Sequence, residues 1–311
     1  MTTEIVVSGM RPTGKMHLGH YHGVLKNWLQ LQHKYECFFS IVDLHALTTH
    51  YESSNIILEN IFEMLLDWLA IGIDPQFVHI FRQSDVNEIS ELHLILSMIT
   101  PLSWLERIPT YKDCINNNKD KDLHTYGFLG YPLLMTADVL AFRASLVPIG
   151  EDQLPHLEFA REVARRFNHL YGREHNYQQQ AQIAISHLEK KIAKLYCKLR
   201  LNYQQDGKQE AWDTAKSLLE NTNYISITDK ERLIAYLTNG GKILLPEPKE
   251  LLNKHAVFTG LDGRKMSKSY NNTIMLSDEE NIIHTKMKKM PTDPARIKRT
   301  DAGDPKKCPV W

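Results

Sequence analysis

Gly9-Met10-Arg11-Pro12-Thr13-Gly14-Lys15-Met16-His17-Leu18-Gly19-His20 gathers three glycines, two cations and two imidazoles into one short stretch. A turn of this kind can bring backbone N–H groups against phosphate oxygens, and a helix opening behind it points its positive end the same way. Lys265-Met266-Ser267-Lys268-Ser269 follows 245 residues after His20 and carries two ammonium groups on a short polar loop. Brought together, the two stretches suit a nucleoside triphosphate held between them. Attack on a phosphate needs no nucleophile from the protein; it needs aligned reactants and donors for the negative charge. Taken singly, His17 and His20 could be helix caps and Lys265 and Lys268 a solvated turn.

The elements around these stretches alternate strand and helix. Ile5-Val6-Val7 is a β-branched run closed by Ser8-Gly9, and Cys37–Val42 and Phe77–Phe81 are two more apolar runs of strand length. Between them, Val24, Trp28 and Leu31, then Ile57, Ile61, Met64 and Trp68, recur at helical spacing. Asp85 and Glu88 have capping-box spacing before a helix carrying Leu92, Ile95, Leu96 and Ile99. The alternation predicts an α/β fold with a parallel, Rossmann-type sheet whose ligands meet the carboxyl ends of the strands. Asn116–Asp122 reads as a polar, mobile loop. Pro132 suits a first helical turn, and on that helix Tyr131, Met135 and Asp138 share one face. Leu146–Ile149 is a further strand ending in Gly150-Glu151-Asp152-Gln153. The helix after it turns Leu157, Ala160, Ala164 and Phe167 inward and Arg161, Arg165 and Arg166 outward.

The character changes between 176 and 245, where glutamines cluster and two amphipathic helices follow, with a third capped by Thr228 and Glu231. This reads as a helical insertion. The expected division is 1–175 for the first part of the catalytic domain, 176–245 for the insertion, 246–275 for the end of the catalytic domain, and 276–311 for the start of a C-terminal helical region. Ala256–Gly260 is expected to be the last strand, delivering the lysine loop.

Composition limits the rest. The chain of 311 residues has 37 Lys and Arg against 37 Asp and Glu, so a nucleic acid would have to meet a local patch. One such patch is 264–307, with an excess of five positive charges over negative. No apolar run is long enough for a membrane helix, and the N-terminus lacks a signal-peptide pattern. Cys37, Cys114, Cys197 and Cys308 form no C-x-x-C pair, which excludes a zinc ribbon and fits a reducing cytoplasm.

His17-Leu18-Gly19-His20 resembles the HIGH signature of class I aminoacyl-tRNA synthetases, and Lys265–Ser269 is their KMSKS signature letter for letter. HxGH also occurs in nucleotidyltransferases; the pair in this order, with α/β patterning between, favours the synthetases. Within them the chain is similar to the tryptophan branch, through Ser8–Gly23, Ile41–Ala46, Tyr131–Leu140 and Val147–His156. The tyrosine branch differs at the positions of Met135 and Gly150–Gln153.

That resemblance implies tryptophan activation with Mg-ATP, transfer to the 3′ end of tRNA(Trp), a cytoplasmic homodimer, no tightly held cofactor and no resident metal. It implies Asp138 as acceptor for the indole N–H, with Val7, Val42, His45, Tyr131, Met135 and Gln153 around the substrate. It puts ATP on Arg11, Pro12, Thr13, Gly19, His20, Gly150, Glu151, Asp152, Val257, Lys265, Met266, Ser267, Lys268 and Ser269, with His17, His20, Lys265 and Lys268 catalytic. Asp138 has an alternative partner in Arg143 on its own helix. The family continues beyond this point with an anticodon-holding helical region, and some members place an iron–sulfur ligand near the position of Cys308; the other ligands of such a cluster would lie beyond Trp311, so none is assigned. A chain binding tryptophan and ATP without charging tRNA is the other expectation left open.

Overall fold

The computed structural model describes residues 4–108, 123–252, 258–291, 293, 295–298 and 300–304. The polar loop at 116–122 and residues 253–257, with Val257 among them, lie outside these, as do Cys114 and Cys308. Five parallel strands form one sheet: β1 (Ile5–Met10), β2 (Glu36–Ile41), β3 (Val78–Arg82), β4 (Leu146–Ile149) and β5 (Lys249–Leu252), in the order β3-β2-β1-β4-β5. β1 is central and pairs with β2 on one side and β4 on the other. The order reverses between β1 and β4, so the crevice at their carboxyl ends is where ligands of such sheets sit.

The β-branched and aromatic runs predicted as strands are strands because both faces are covered. Trp28 stacks on Phe39 with ring centroids 4.1 Å apart and meets Trp68 edge-on at 4.9 Å. Trp28 belongs to α2 (Lys26–Leu31), which continues α1 (Leu18–His20) through a π turn, Tyr21–Leu25. A π turn widens the helix by one residue and is found often beside functional sites. Trp68 belongs to α4 (Ser54–Ala70), after α3 (Asp43–His50); Ile57, Met64 and Trp68 are its buried face. On the other side lie α5 (Asn87–Ser97), α6 (Leu102–Glu106), α7 (Tyr126–Leu129) and α8 (Tyr131–Ala141). α8 carries eight buried residues, Pro132 in its first turn among them, and packs against α5 and α9 (Leu154–Tyr171).

Several expectations are corrected. Among the described residues the last strand of the sheet is β5 at 249–252; of the strand expected at 256–260, residues 258–260 form none, Thr259 making only an isolated bridge to Lys265, and 256–257 lie outside the described residues. Asp85 does not cap α5, whose preceding residue is Val86; it pairs with Arg82 instead. Ile95 is exposed and Ile89 takes its place in the core. Arg161 and Arg165 do not simply face solvent. Arg161 donates to the Pro248 carbonyl at 2.8 Å and pairs with Glu158 and Glu250, and Arg165 pairs with Glu162 and with Glu247 at 2.9 Å. They tie α9 to the strand that leads toward the lysine loop.

The stretch at 176–245 holds four helices, not three: α10 (Tyr177–Ser186), α11 (Lys190–Asp206), α12 (Gln209–Glu220) and α13 (Ile227–Leu237). Ala184, Leu188, Tyr196, Ala215, Leu219, Leu233 and Leu237 form an apolar cluster within it. α13 is capped by Ser226, whose hydroxyl accepts from the Asp229 N–H at 3.0 Å, rather than by Thr228 and Glu231. The segment leaves and returns at one point. Lys242 N–H donates to the Gly172 carbonyl at 2.6 Å, and a Cβ on Gly241 would collide with the Gly172 backbone.

Candidate active site

The loop after β1 and the lysine loop meet. Lys268 Nζ donates to the Thr13 carbonyl at 3.3 Å, across 255 residues of sequence. Gly14 has φ of +117° and its missing Cβ leaves room for that ammonium, which a methyl there would approach to 3.0 Å. The junction is reinforced on both sides: Leu18 N–H donates to the Ile274 carbonyl at 3.0 Å and Leu276 N–H to the Met16 carbonyl at 2.9 Å. Met266 is buried against this seam, next to Gly19.

His17 and His20 lie ring against ring, centroids 3.8 Å apart. His17 N–H donates to His20 Nδ1 at 3.1 Å, which leaves the His20 proton on Nε2. The capping role is therefore real for His20, and it fixes the tautomer that can donate outward. Burial, then Lys268, lowers the His17 pKa to about 4; burial, then His17 and Lys268, lowers that of His20 to about 3. Burial also lowers the pKa of Lys268. Both imidazoles are neutral donors at neutral pH.

Beside this junction a cavity of about 450 Å³ opens at the carboxyl ends of β1 and β4. Val7, Val42, His45, Tyr131, Met135, Asp138 and Gln153 all line it, as do Arg11 and Gly150. Asp138 is buried and does not pair with Arg143, which binds Glu231 at 2.8 Å. Its Oδ2 accepts from His45 Nε2 at 2.9 Å and its Oδ1 from Gln83 Nε2 at 2.7 Å. A carboxylate has about four acceptor sites, so capacity remains for one more donor.

Gln83 is the residue that sequence reasoning missed. It is fully buried, and its Oε1 accepts from the backbone N–H groups of Leu44 and His45 at 3.1 and 3.3 Å. One amide thus locks β3, α3 and α8 around the carboxylate. The available signal was its place directly after β3, at the ligand-facing end of the sheet. Phe128, Thr48 and His156 also line the cavity, and His156 Nε2 and the Tyr131 hydroxyl are 2.9 Å apart. Lys265 is not drawn in with Lys268: it is exposed, and only its backbone is engaged, bridging Thr259. Glu151 and Asp152 are exposed at the mouth of the cavity, and Asp152 accepts from Gln153 Nε2 at 3.1 Å. Among the described residues, no three His, Cys, Asp or Glu side chains converge as a metal cage.

The sequence model described as tRNA synthetases class I (W and Y) matches residues 2–194 and 222–310. A tryptophan–tRNA ligase of Ralstonia nicotianae is 58% identical over 311 residues, spanning 100% of this chain and 78% of that protein. One from Aquifex aeolicus is 35% identical and aligns with 98% of this chain and 77% of its own length. Among solved structures, tryptophanyl-tRNA synthetase from Campylobacter jejuni, complexed with ADP and tryptophan, superposes with a TM-score of 0.68 at 28% identity, over 98% of this chain and 72% of that one.

Proposed function

Because the chain belongs to the class I tRNA synthetases for tryptophan and tyrosine, we propose that it is a tryptophan–tRNA ligase working at the cavity between β1, β4 and α8. It activates tryptophan with Mg-ATP and passes the tryptophanyl group to the 3′ end of tRNA(Trp). The observation that carries this reading is Asp138, a buried carboxylate held by His45 and Gln83 in a cavity that Val7, Val42, Phe128, Met135 and Val139 also line. An indole N–H is the donor that completes it, and phenylalanine would leave it unmatched. Met135 and Val42 cover the ring, and Tyr131 and Gln153 are placed for the amino-acid end.

The chemistry follows from the juxtaposition. The tryptophan carboxylate oxygen attacks the α-phosphorus, the new O–P bond forms, and the bond to the bridging oxygen breaks as pyrophosphate leaves. Mg²⁺ enters with the nucleotide, held by phosphate oxygens as this ion prefers. His17, His20 and Lys268, with backbone donors from Thr13 to Gly19, meet the charge on the phosphates; Arg11, Pro12, Gly150, Glu151 and Asp152 frame the nucleotide, and Lys265, Met266, Ser267 and Ser269 complete the lysine loop. A preorganised donor of this kind contributes about 3 kcal/mol to the transition state, so Lys268→Ala should slow adenylate formation roughly a hundredfold. In the second step a ribose hydroxyl attacks the activated carbonyl and AMP departs.

Tryptophan-dependent exchange of pyrophosphate into ATP, followed by charging of tRNA(Trp), tests the proposal. Exchange driven by tyrosine instead, or independent of any amino acid, would overturn it.

The working unit is a homodimer. α4 is apolar on two sides: its core face is covered, while Leu58, Phe62, Leu66 and Leu69 form a second stripe that is 41–63% exposed. An exposed apolar stripe of this extent marks a surface for a partner. Among the described residues no helix is long and apolar enough to cross a membrane.

A further inference from the structure

We infer that the outer face of α11 is a docking surface for the ribose–phosphate backbone of tRNA, outside the amino-acid slot; this deepens the tRNA-charging reading above and rests on it. Lys190, Lys191, Lys194 and Lys198 stand on that face, all exposed. Among the described residues none of them has a hydrogen bond or an ion pair, whereas Arg161 and Arg165 on α9 each meet two carboxylates. The first acid on α11 is Asp206 in its last turn, and it is taken by Lys208 at 2.9 Å.

The orientation of the face is fixed by the opposite side of the helix. Tyr196 is fully buried, its hydroxyl donating to the Leu233 carbonyl at 2.7 Å, and Ile192 and Leu199 pack beside it. The four ammoniums therefore lie along about 12 Å of helix, at a rise of 1.5 Å per residue.

Local stability does not explain this arrangement. Lys190 and Lys191 occupy the first turn, where the helix dipole disfavours cations. Lys190, Lys194 and Lys198 are spaced by four, which sets like charges side by side. Solubility does not demand it in a chain whose formal net charge is zero. A sequence that breaks local rules with no local compensation marks a place where something else is gained. The gain that fits is a polyanion. The face offers ammoniums with no amide or carboxylate among them to read base edges, so it suits phosphates rather than sequence.

Its position limits which part of the tRNA it meets. α9 runs from the cavity, at Gln153 and His156, to the root of the insertion at Gly172. Eighteen residues of helix separate the two by about 27 Å. None of the four lysines lines the cavity, so their loss should affect capture and not chemistry.

The test is the full-length chain carrying Lys190→Gln, Lys191→Gln, Lys194→Gln and Lys198→Gln. Fluorescence anisotropy with tRNA(Trp), from about 50 to 200 mM salt, should show binding at least about tenfold weaker and a log–log salt slope shallower by roughly three to four, about 0.7–0.9 for each of the four lost phosphate contacts. In charging assays KM for tRNA rises while kcat and tryptophan-dependent exchange stay within about twofold. The quadruple Lys→Arg variant should restore both affinity and slope. Removing the repulsions should leave Tm unchanged or higher; were the quadruple variant not to fold, Lys194→Gln and Lys198→Gln alone should each lower the slope by about one. Unchanged affinity and slope in folded variants overturns the inference. Wild-type protein that binds tRNA with lysine-dependent slope but never charges it would overturn the ligase reading and leave the docking surface standing.

Discussion

In the proposed reading Asp138 carries the choice of substrate, and its neighbours His45 and Gln83 hold it in place. A hydrogen bond to a charged group contributes about 1.5–3 kcal/mol. Asp138→Ala should therefore lower kcat/KM for tryptophan about ten- to hundredfold while KM for ATP stays within about twofold, measured by pyrophosphate exchange. Equal losses for both substrates in a folded variant would contradict the assignment. Gln83→Ala should raise KM for tryptophan with little effect on ATP, and it should also lower Tm, since the Leu44 and His45 N–H groups lose their acceptor. The two imidazoles make a separate prediction about pH. In the unfolded chain each takes a proton near the ordinary value of 6.5, but in the fold only near pH 4 for His17 and 3 for His20. Between those limits the unfolded state binds more protons, so stability is complete above about pH 6.5 and declines as pH falls toward 4 and then 3. A His17→Asn, His20→Asn variant should show a flatter Tm profile across that window. At this scale the two motifs pointed to the donors, and the family resemblance implied the acid, which the fold buries in the cavity. It could not reveal Gln83, because a glutamine becomes a site residue only when three elements converge on its amide.

The elements divide between those whose sequence pattern is local and those whose role depends on partners. Strands β1 to β4 and the helices between them were legible because period and length report burial directly. β5 was not: Lys249–Leu252 is short, edge-placed and mixed in polarity, and it is a strand because β4 and the arginines of α9 hold it there. The cap of α5 failed for a related reason, since Asp85 had a nearer partner in Arg82. α4 shows what a helix says beyond its core face. Its second apolar stripe, Leu58, Phe62, Leu66 and Leu69, has no covering element among the described residues. Phe62→Glu and Leu58→Glu should convert the proposed dimer to monomer in sedimentation velocity at micromolar concentration, with the helix content of the chain retained. A variant that sediments as the wild type does would remove α4 from the interface.

At the scale of the molecule, a parallel sheet holds two distant loops together while a helical segment hangs from one edge. The segment closes on itself, with its own apolar cluster and with Gly172 and Lys242 hydrogen-bonded at its root. Few groups tie it to the rest: Arg143 reaches Glu231 at 2.8 Å, and Lys242 lies 4.0 Å from the same carboxylate. Exposed pairs of this kind contribute at most about 1 kcal/mol each. The loop at Arg11–His17, the slot around Asp138 and the lysine loop draw no cavity-lining residue from 173–241. Replacing 173–241 by two or three glycines should therefore leave a folded sheet, because the chain ends to be joined are already adjacent. Tryptophan-dependent exchange in that variant should persist within about fivefold, and the tRNA salt slope should fall as it does on removal of the four lysines. Loss of exchange in a soluble, cooperatively melting variant would mean that the segment braces α9 and, through Arg161 and Arg165, the approach to the lysine loop; the boundary at 172–242 would then be a seam within one cooperative unit and not the edge of a separable one.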